Sequence, residues 1–168
     1  MIFKLRYDRR TDHFNFSMTT QKISIEKATK QNLQALVEIE NACFTTDRFT
    51  QQQYRYYLSS PSILVLIAKK NQVIAGSAVI LFRKNSKKIR IYSIAVLPEY
   101  QHHGIAQALH DAIEVIATKR RCTELHLEVK KDNTPALQFY LKNTYQLFGE
   151  YKKYYEDGKD ALRMRKKF

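Results

Sequence analysis

The chain has 168 residues, enough for one domain with a full core and little else. Apolar residues make up 44% and charged residues 27%, and no apolar run reaches the length of a bilayer span, so composition argues against a disordered chain and against a transmembrane helix. The formal net charge of +13 is high for this size and favours anionic partners, whether a phosphorylated small molecule, an acidic substrate or RNA-rich surroundings such as a ribosome.

Residues 1–17 mix hydrophobic and basic side chains without the apolar centre and small-residue cleavage site of a secretory signal. They read as an N-terminal extension of undetermined role, with a single domain over 18–168. Residues 22–27 alternate polar and apolar side chains, which predicts a first strand with one buried face. Thr29 is placed to cap a helix carrying Leu33, Leu36, Val37, Ile39 and Cys43 at helical spacing, and Thr50 to cap a second with Tyr54, Tyr57 and Leu58, ended near Pro61. Two apolar strands, 63–68 and 73–82, are separated by a polar turn at 69–72, as in an antiparallel hairpin. A third apolar strand covers 89–97, and a helical pattern runs over 105–118. In 124–130, Leu125, Leu127 and Val129 face one way while His126, Glu128 and Lys130 face the other. Asn133 caps a last helix with Pro135 in its first turn, and 145–155 and 159–168 read as a closing strand pair around Asp157-Gly158. This order predicts an α/β (α+β) fold, a central mixed, mostly antiparallel twisted sheet flanked by helices.

Cys43 and Cys122 show neither a Cys-x-x-Cys pair nor metal-ligand spacing, so they read as reduced thiols of a cytoplasmic protein, and no metal site is expected. Two basic clusters, 83–90 and 163–167, read first as a solvated turn and a charged edge strand; with no accompanying motif, direct nucleic-acid binding is not expected.

The most informative segment is Gln101-His102-His103-Gly104-Ile105-Ala106, where the strand ending near Leu97 gives way to a helix. Small residues at Gly104 and Ala106 let the backbone approach an anion, and the unsatisfied N–H groups of the helix start stabilise its charge. A pyrophosphate-binding turn is predicted. The spacing Gln-x-x-Gly-x-Ala after Ile94-Ala95-Val96 resembles the acetyl-CoA signature of the GCN5-related N-acetyltransferases (GNAT). The segments at 39–44, 92–96, 127–133, 136–140 and 154–164 are similar to those of bacterial ribosomal-protein-alanine N-acetyltransferases. His102 and His103 stand where that group commonly has arginine. Asn143-Thr144-Tyr145 replaces its usual Leu-Gly-Phe, with Asn143 a partial substitute for the glycine cap.

The resemblance implies an acetyl-CoA-dependent N-acetyltransferase with the family's fold. Its cofactor contacts would come from Ile94, Ala95, Val96, Gln101, His102, His103, Gly104, Ile105, Ala106, Gln107 and Asn133, with a strand bulge near Ile94 to Val96 exposing backbone groups. It also implies Glu128 as general base and Tyr140 as the donor that protonates the departing thiolate, roles that acetyl transfer requires. From the residues alone, Glu128 reads first as a surface carboxylate on a polar strand face and Tyr140 as a half-buried packing residue; the resemblance is what gives them the catalytic roles. Tyr154 and Tyr155 either line the acceptor groove or belong to an edge strand. His126 is left outside the core set. Cys43, on an apolar helix face, reads as a structural thiol, which favours direct transfer over an acetyl-enzyme. The implied acceptor is the α-amino group of a protein or peptide, a ribosomal protein among the candidates. A small amine (polyamine, amino acid or antibiotic) is one alternative, and a non-catalytic acyl-CoA-binding or ribosome-associated module is another.

Overall fold

The computed structural model describes residues 6–8, 13–15 and 23–168; the rest of the predicted N-terminal extension, and the start of the predicted domain at 18–22, lie outside the described residues. Two short strands, β1 (Arg6–Asp8) and β2 (His13–Asn15), pair with each other. The main sheet has seven strands: β3 (Ile23–Lys27), β4 (Ile63–Lys70), β5 (Val73–Phe82), β6 (Lys88–Val96), β7 (Glu124–Lys130), β8 (Gln146–Tyr151) and β9 (Ala161–Lys167). They lie in the order β3-β4-β5-β6-β7-β9-β8, with β6 and β7 parallel and every other neighbouring pair antiparallel, which is a mixed, mostly antiparallel sheet of the predicted kind.

Each strand's sequence pattern follows from what covers it. In β4, Leu66 and Ala68 join one core while Val65 and Ile67 join another, so the unbroken apolar run Ile-Leu-Val-Leu-Ile-Ala is a strand buried on both faces. One core lies under α3 (Ile105–Lys119) and α4 (Thr134–Lys142), which bring Ile105, Leu109, Ile113 and Tyr140 to the sheet. The other lies under α1 (Leu33–Cys43) and α2 (Gln51–Ser59), where Leu36, Tyr54 and Tyr57 meet Val65, Ile67 and Val79. Among the described residues, this second core contains no residue of β6, β7, β8 or β9. Strand β7 therefore keeps its alternation: Leu125, Leu127 and Val129 are buried, each stabilising the fold by roughly 1.5–3 kcal/mol, and Glu128 stands on the opposite face.

Several boundaries differ from expectation for local reasons. The turn after β4 is two residues, Asn71 and Gln72, both at positive φ (51° and 70°); this twist suits a tight hairpin and leaves Lys69 and Lys70 in the strand. Thr29 leads into a short 3-10 turn (Lys30–Asn32) that runs on into α1, whereas Thr50 caps α2 directly, its hydroxyl accepting from the Gln53 N–H at 3.2 Å. Strand β8 stops at Tyr151, and β9 begins only at Ala161, so Tyr154 and Tyr155 belong to a loop rather than an edge strand. After α4 the left-handed conformation falls on Thr144 (φ 65°), not on Asn143 (φ −85°), whose side chain instead bonds Gln107 and the Phe139 carbonyl.

A β-branched residue in that conformation is strained. Thr144→Gly should raise stability by about 0.5–1 kcal/mol, the relief of strain outweighing the added entropy of the unfolded chain. Denaturant unfolding checks this, and an unchanged or lower stability would refute the strain.

Candidate functional site

Strand β6 stays with β5 to its end, from Phe82↔Ile89 to Gly76↔Val96, with Leu97 N–H donating onward to the Ala75 carbonyl at 2.9 Å. It pairs with β7 only from Lys88↔Glu124 to Ile91↔Leu127. The register against β5 slips at Tyr92, since Val79 faces Ser93 and Ile80 faces Ile91. The bulge is thus at Tyr92, earlier than the predicted Ile94 to Val96, which pair regularly with β5. A bulge sharpens strand twist, and beyond it β6 parts from β7. The parting leaves Ile91 to Ile94 lining the opening, while Ala95 is buried and neither Ala95 nor Val96 lines it. Gly76 permits the close approach: a Cβ there would lie 2.8 Å from the Ala95 carbonyl oxygen and 3.0 Å from Ile105.

The wedge between the strands opens into a cavity of about 480 Å³. Ile94, Glu128, Asn133 and Tyr140 line it, so the structure brings both predicted catalytic residues together with two predicted cofactor residues. Glu128 is nearly buried, with 8% of its side chain exposed, and is held by Arg90, whose Nε donates to Oε2 at 2.7 Å. That leaves Oε1 without a protein partner among the described residues. The same guanidinium donates to the Tyr154 hydroxyl at 2.7 Å and lies over the Tyr92 ring. Sequence reasoning missed Arg90, grouping it with a charged turn; its i+2 alternation with Lys88, matching the polar alternation of Glu124, His126 and Glu128 in β7, was the available signal. Tyr140 is buried among Phe139 and Tyr145, and burial pushes its phenol above the ordinary range, so the phenol holds its proton at neutral pH. Its hydroxyl has no hydrogen-bond partner among the described residues.

The other carboxylates of the cavity are engaged within the protein. Glu40 accepts from the Tyr54 hydroxyl (2.8 Å) and the Phe49 N–H (3.0 Å); its pKa is raised, by burial first, with these two bonds opposing. Asp47 accepts the Glu156 N–H and Glu156 accepts the Asp47 N–H, a reciprocal bond between the 44–50 and 152–160 loops. Lys130 bridges the same loops, donating to Thr46 at 2.8 Å and to Asp157 at 3.0 Å. Tyr154 and Tyr155 line the cavity from the second loop. His126 does not line it.

The turn at 101–107 has a left-handed backbone at its helix start. Gly104 caps α3 at φ 80°, with nothing within 4 Å of where a Cβ would sit, and His102 is also left-handed at φ 61°. The first helical bond runs from Ala108 N–H to the Gly104 carbonyl at 2.9 Å, which leaves the N–H groups of Ile105, Ala106 and Gln107 without an intrahelical acceptor. Side chains there behave unequally. His102 and His103 are exposed, but Ile105 is core, Gln107 bonds Asp111 and Asn143, and Gln101 turns back to the Val96 carbonyl at 3.4 Å. The turn therefore offers an anion backbone donors and two imidazoles, a set that fits a pyrophosphate. Asn133 caps α4, accepting from Ala136 N–H at 3.2 Å.

A parallel strand pair splayed beside a backbone anion site is the architecture of an acyl-CoA-using transferase. The Acetyltransferase (GNAT) family model matches residues 33–145, and the chain belongs to that family. It is an acetyl-CoA-dependent N-acetyltransferase. It is similar to an uncharacterised N-acetyltransferase of Methanocaldococcus jannaschii (31% identical, over 85% of this chain and 90% of that one). It is also similar to the N-alpha-acetyltransferase RimI of Mycobacterium tuberculosis (28%, over 88% and 94%). Its fold matches the crystal structure of the ribosomal-protein-S18-alanine N-acetyltransferase from Escherichia coli with a TM-score of 0.77, at 23% identity over 85% of this chain and 92% of that one.

Because a side chain at Gly104 would be strained and would stand in the open space above the turn, Gly104→Val should weaken acetyl-CoA binding about tenfold or more. Titration calorimetry measures it, with thermal unfolding to confirm the fold; unchanged affinity would remove the turn from the cofactor site.

Proposed function

We propose that the chain acetylates the α-amino group of a protein or peptide N-terminus by direct transfer, with Glu128 as general base and Tyr140 as proton donor. Acetyl-CoA supplies an activated acetyl group as a thioester. The amine enters the cavity beside Glu128, whose free oxygen Oε1 takes its proton directly or through one water. Nitrogen then attacks the carbonyl carbon, the carbon–sulfur bond breaks, and the Tyr140 hydroxyl meets the developing charge on sulfur. The splayed backbone at Ile94 to Val96 positions the pantetheine arm, the turn at 101–107 holds the pyrophosphate, and Asn133 contacts the arm from the helix cap.

One observation carries the acceptor class: Glu40 is hydrogen-bonded through both oxygens, Asp47 accepts from Glu156 through Oδ1 and has Lys130 3.6 Å from Oδ2, and Glu128 is held by Arg90 through Oε2, so each cavity carboxylate already has a partner within the protein. A polyamine needs a free carboxylate for its second charge, whereas a peptide N-terminus needs one base and polar groups for its backbone, which Tyr92, Tyr154 and Tyr155 supply. The protein-N-terminus relatives agree with this reading, and the S18-alanine enzyme of similar fold makes a ribosomal protein a natural first acceptor to try. Reduced Cys43 and Cys122 fit a cytoplasmic setting.

The experiment is thiol release from acetyl-CoA with peptides of differing N-termini set against small amines. Glu128→Gln and Tyr140→Phe should each lower kcat on the active peptides by about a hundredfold, with acetyl-CoA affinity kept. Release with small amines only would overturn the peptide acceptor, and full turnover in either variant would remove that residue's role.

Direct transfer has a separate test. The Cys43 thiol lines the cavity but donates to the Val96 carbonyl at 3.3 Å, and burial, aided by the Glu40 charge, pushes its pKa up to about 11. At pH 8 only about one molecule in a thousand carries the thiolate. Cys43→Ala should keep kcat within about twofold, and mass spectrometry should find no acetyl-Cys43 during turnover. An acetylated thiol that forms and decays at the catalytic rate would replace direct transfer with a two-step route.

A further inference from the structure

Part of the chain's basic excess gathers at the end of the sheet remote from the site. Three segments distant in sequence meet there: the β5–β6 turn with Arg83, Lys84 and Lys87, the residues after α3 with Arg120 and Arg121, and the end of β9 with Lys167. Backbone bonds join them, Thr123 N–H to the Lys87 carbonyl at 2.7 Å and Phe168 N–H to the Thr123 carbonyl at 3.1 Å. The register aligns Lys88, Glu124 and Lys167 across three strands. All six named cations are exposed, and none has a carboxylate partner among the described residues. Glu124, buried, is taken by Lys88 at 3.3 Å.

We propose that this end of the sheet binds a single-stranded polynucleotide. So many unneutralised cations on neighbouring turns raise a local positive potential that a chain of phosphates would relieve, releasing counterions. Two flat platforms stand among them. The Arg120 guanidinium lies over the Phe82 ring, 3.8 Å from its centroid, and Phe168 is 53% exposed. Unpaired bases stack on such groups. Exposed Asn85 and Thr123 add polar contacts to sugar and phosphate. The cations sit on projecting turns with Phe168 the only large apolar side chain exposed beside them among the described residues, which suits a flexible polyanion better than a lipid surface. Along the nine residues of β6 the patch lies roughly 26 Å from the cofactor end, so a bound strand leaves the acetyl-transfer site open. This departs from the expectation drawn from the two basic clusters read separately, and it does not rest on the acceptor proposed above.

Fluorescence anisotropy with a labelled oligouridylate tests it on the full chain. Binding should weaken with salt, log K falling against log salt with a slope of about −3, as for four or five phosphates on a single strand. The triple variant Lys84→Glu, Lys87→Glu, Arg121→Glu should bind about tenfold or more weakly, and the matching Gln variant should fall between, while thiol release with an accepted amine stays unchanged. A control with the same charge change elsewhere, Lys30→Glu, Lys142→Glu, Lys153→Glu, should bind nearly as wild type. Equal losses in both triple variants would reduce the effect to net charge and overturn the site. Equal or tighter binding to polyglutamate, or to phosphatidylglycerol vesicles, would overturn the polynucleotide as partner.

Discussion

Strands β6 and β7 share four residue pairs and then part, and the geometry of the site follows from that parting. A parallel pair continued to Val96 and Lys130 would satisfy its own backbone groups and leave nothing for a ligand. Instead the extra residue at Tyr92 turns β6, close contact at Gly76 keeps it on β5, and the Cys43 thiol and Gln101 amide secure its end through the Val96 carbonyl. The cost is a set of sheet hydrogen bonds forgone in the middle of the fold. The gain is a slot with main-chain donors and acceptors on one wall and the polar face of β7 on the other.

Charge is arranged around that slot by pairing. Arg90 holds Glu128, Lys130 holds Asp157 and nears Asp47, and Glu40 is bound by a phenol and a main-chain N–H. Glu40 and Glu128, both nearly buried, are tolerable only with such partners. The pairing also orients: Arg90 is fixed by Glu128 at one end and Tyr154 at the other, tying the β8–β9 loop to the base, while Lys130 and the Asp47–Glu156 bonds tie it to the loop after α1. Two loops from opposite ends of the chain thereby frame one entrance.

Much of this was legible from residue order. Strand β7, the Asn133 cap and the turn at Gly104 appear in the structure where periodicity and capping chemistry put them, because each depends on interactions within a few residues. The errors fall where distant groups decide. Asn143 looked suited to a left-handed cap, yet Gln107 from another helix claims its side chain and the strain passes to Thr144. Arg90 was hidden in a run of cations whose other members point to solvent.

By itself the sequence determined the fold class and carried the motifs of the family, since these rest on period, spacing and local backbone conformation. Tertiary structure alone decided that Glu128 is held through one oxygen only, which loop carried Tyr154 and Tyr155 to the entrance, and that basic segments near residues 85, 120 and 167 form one surface. The physical reason is the range of the forces. Helix caps and strand alternation are satisfied by neighbours in the chain, whereas ion pairing, desolvation and electric potential depend on whatever residues the sheet order brings within a few ångströms.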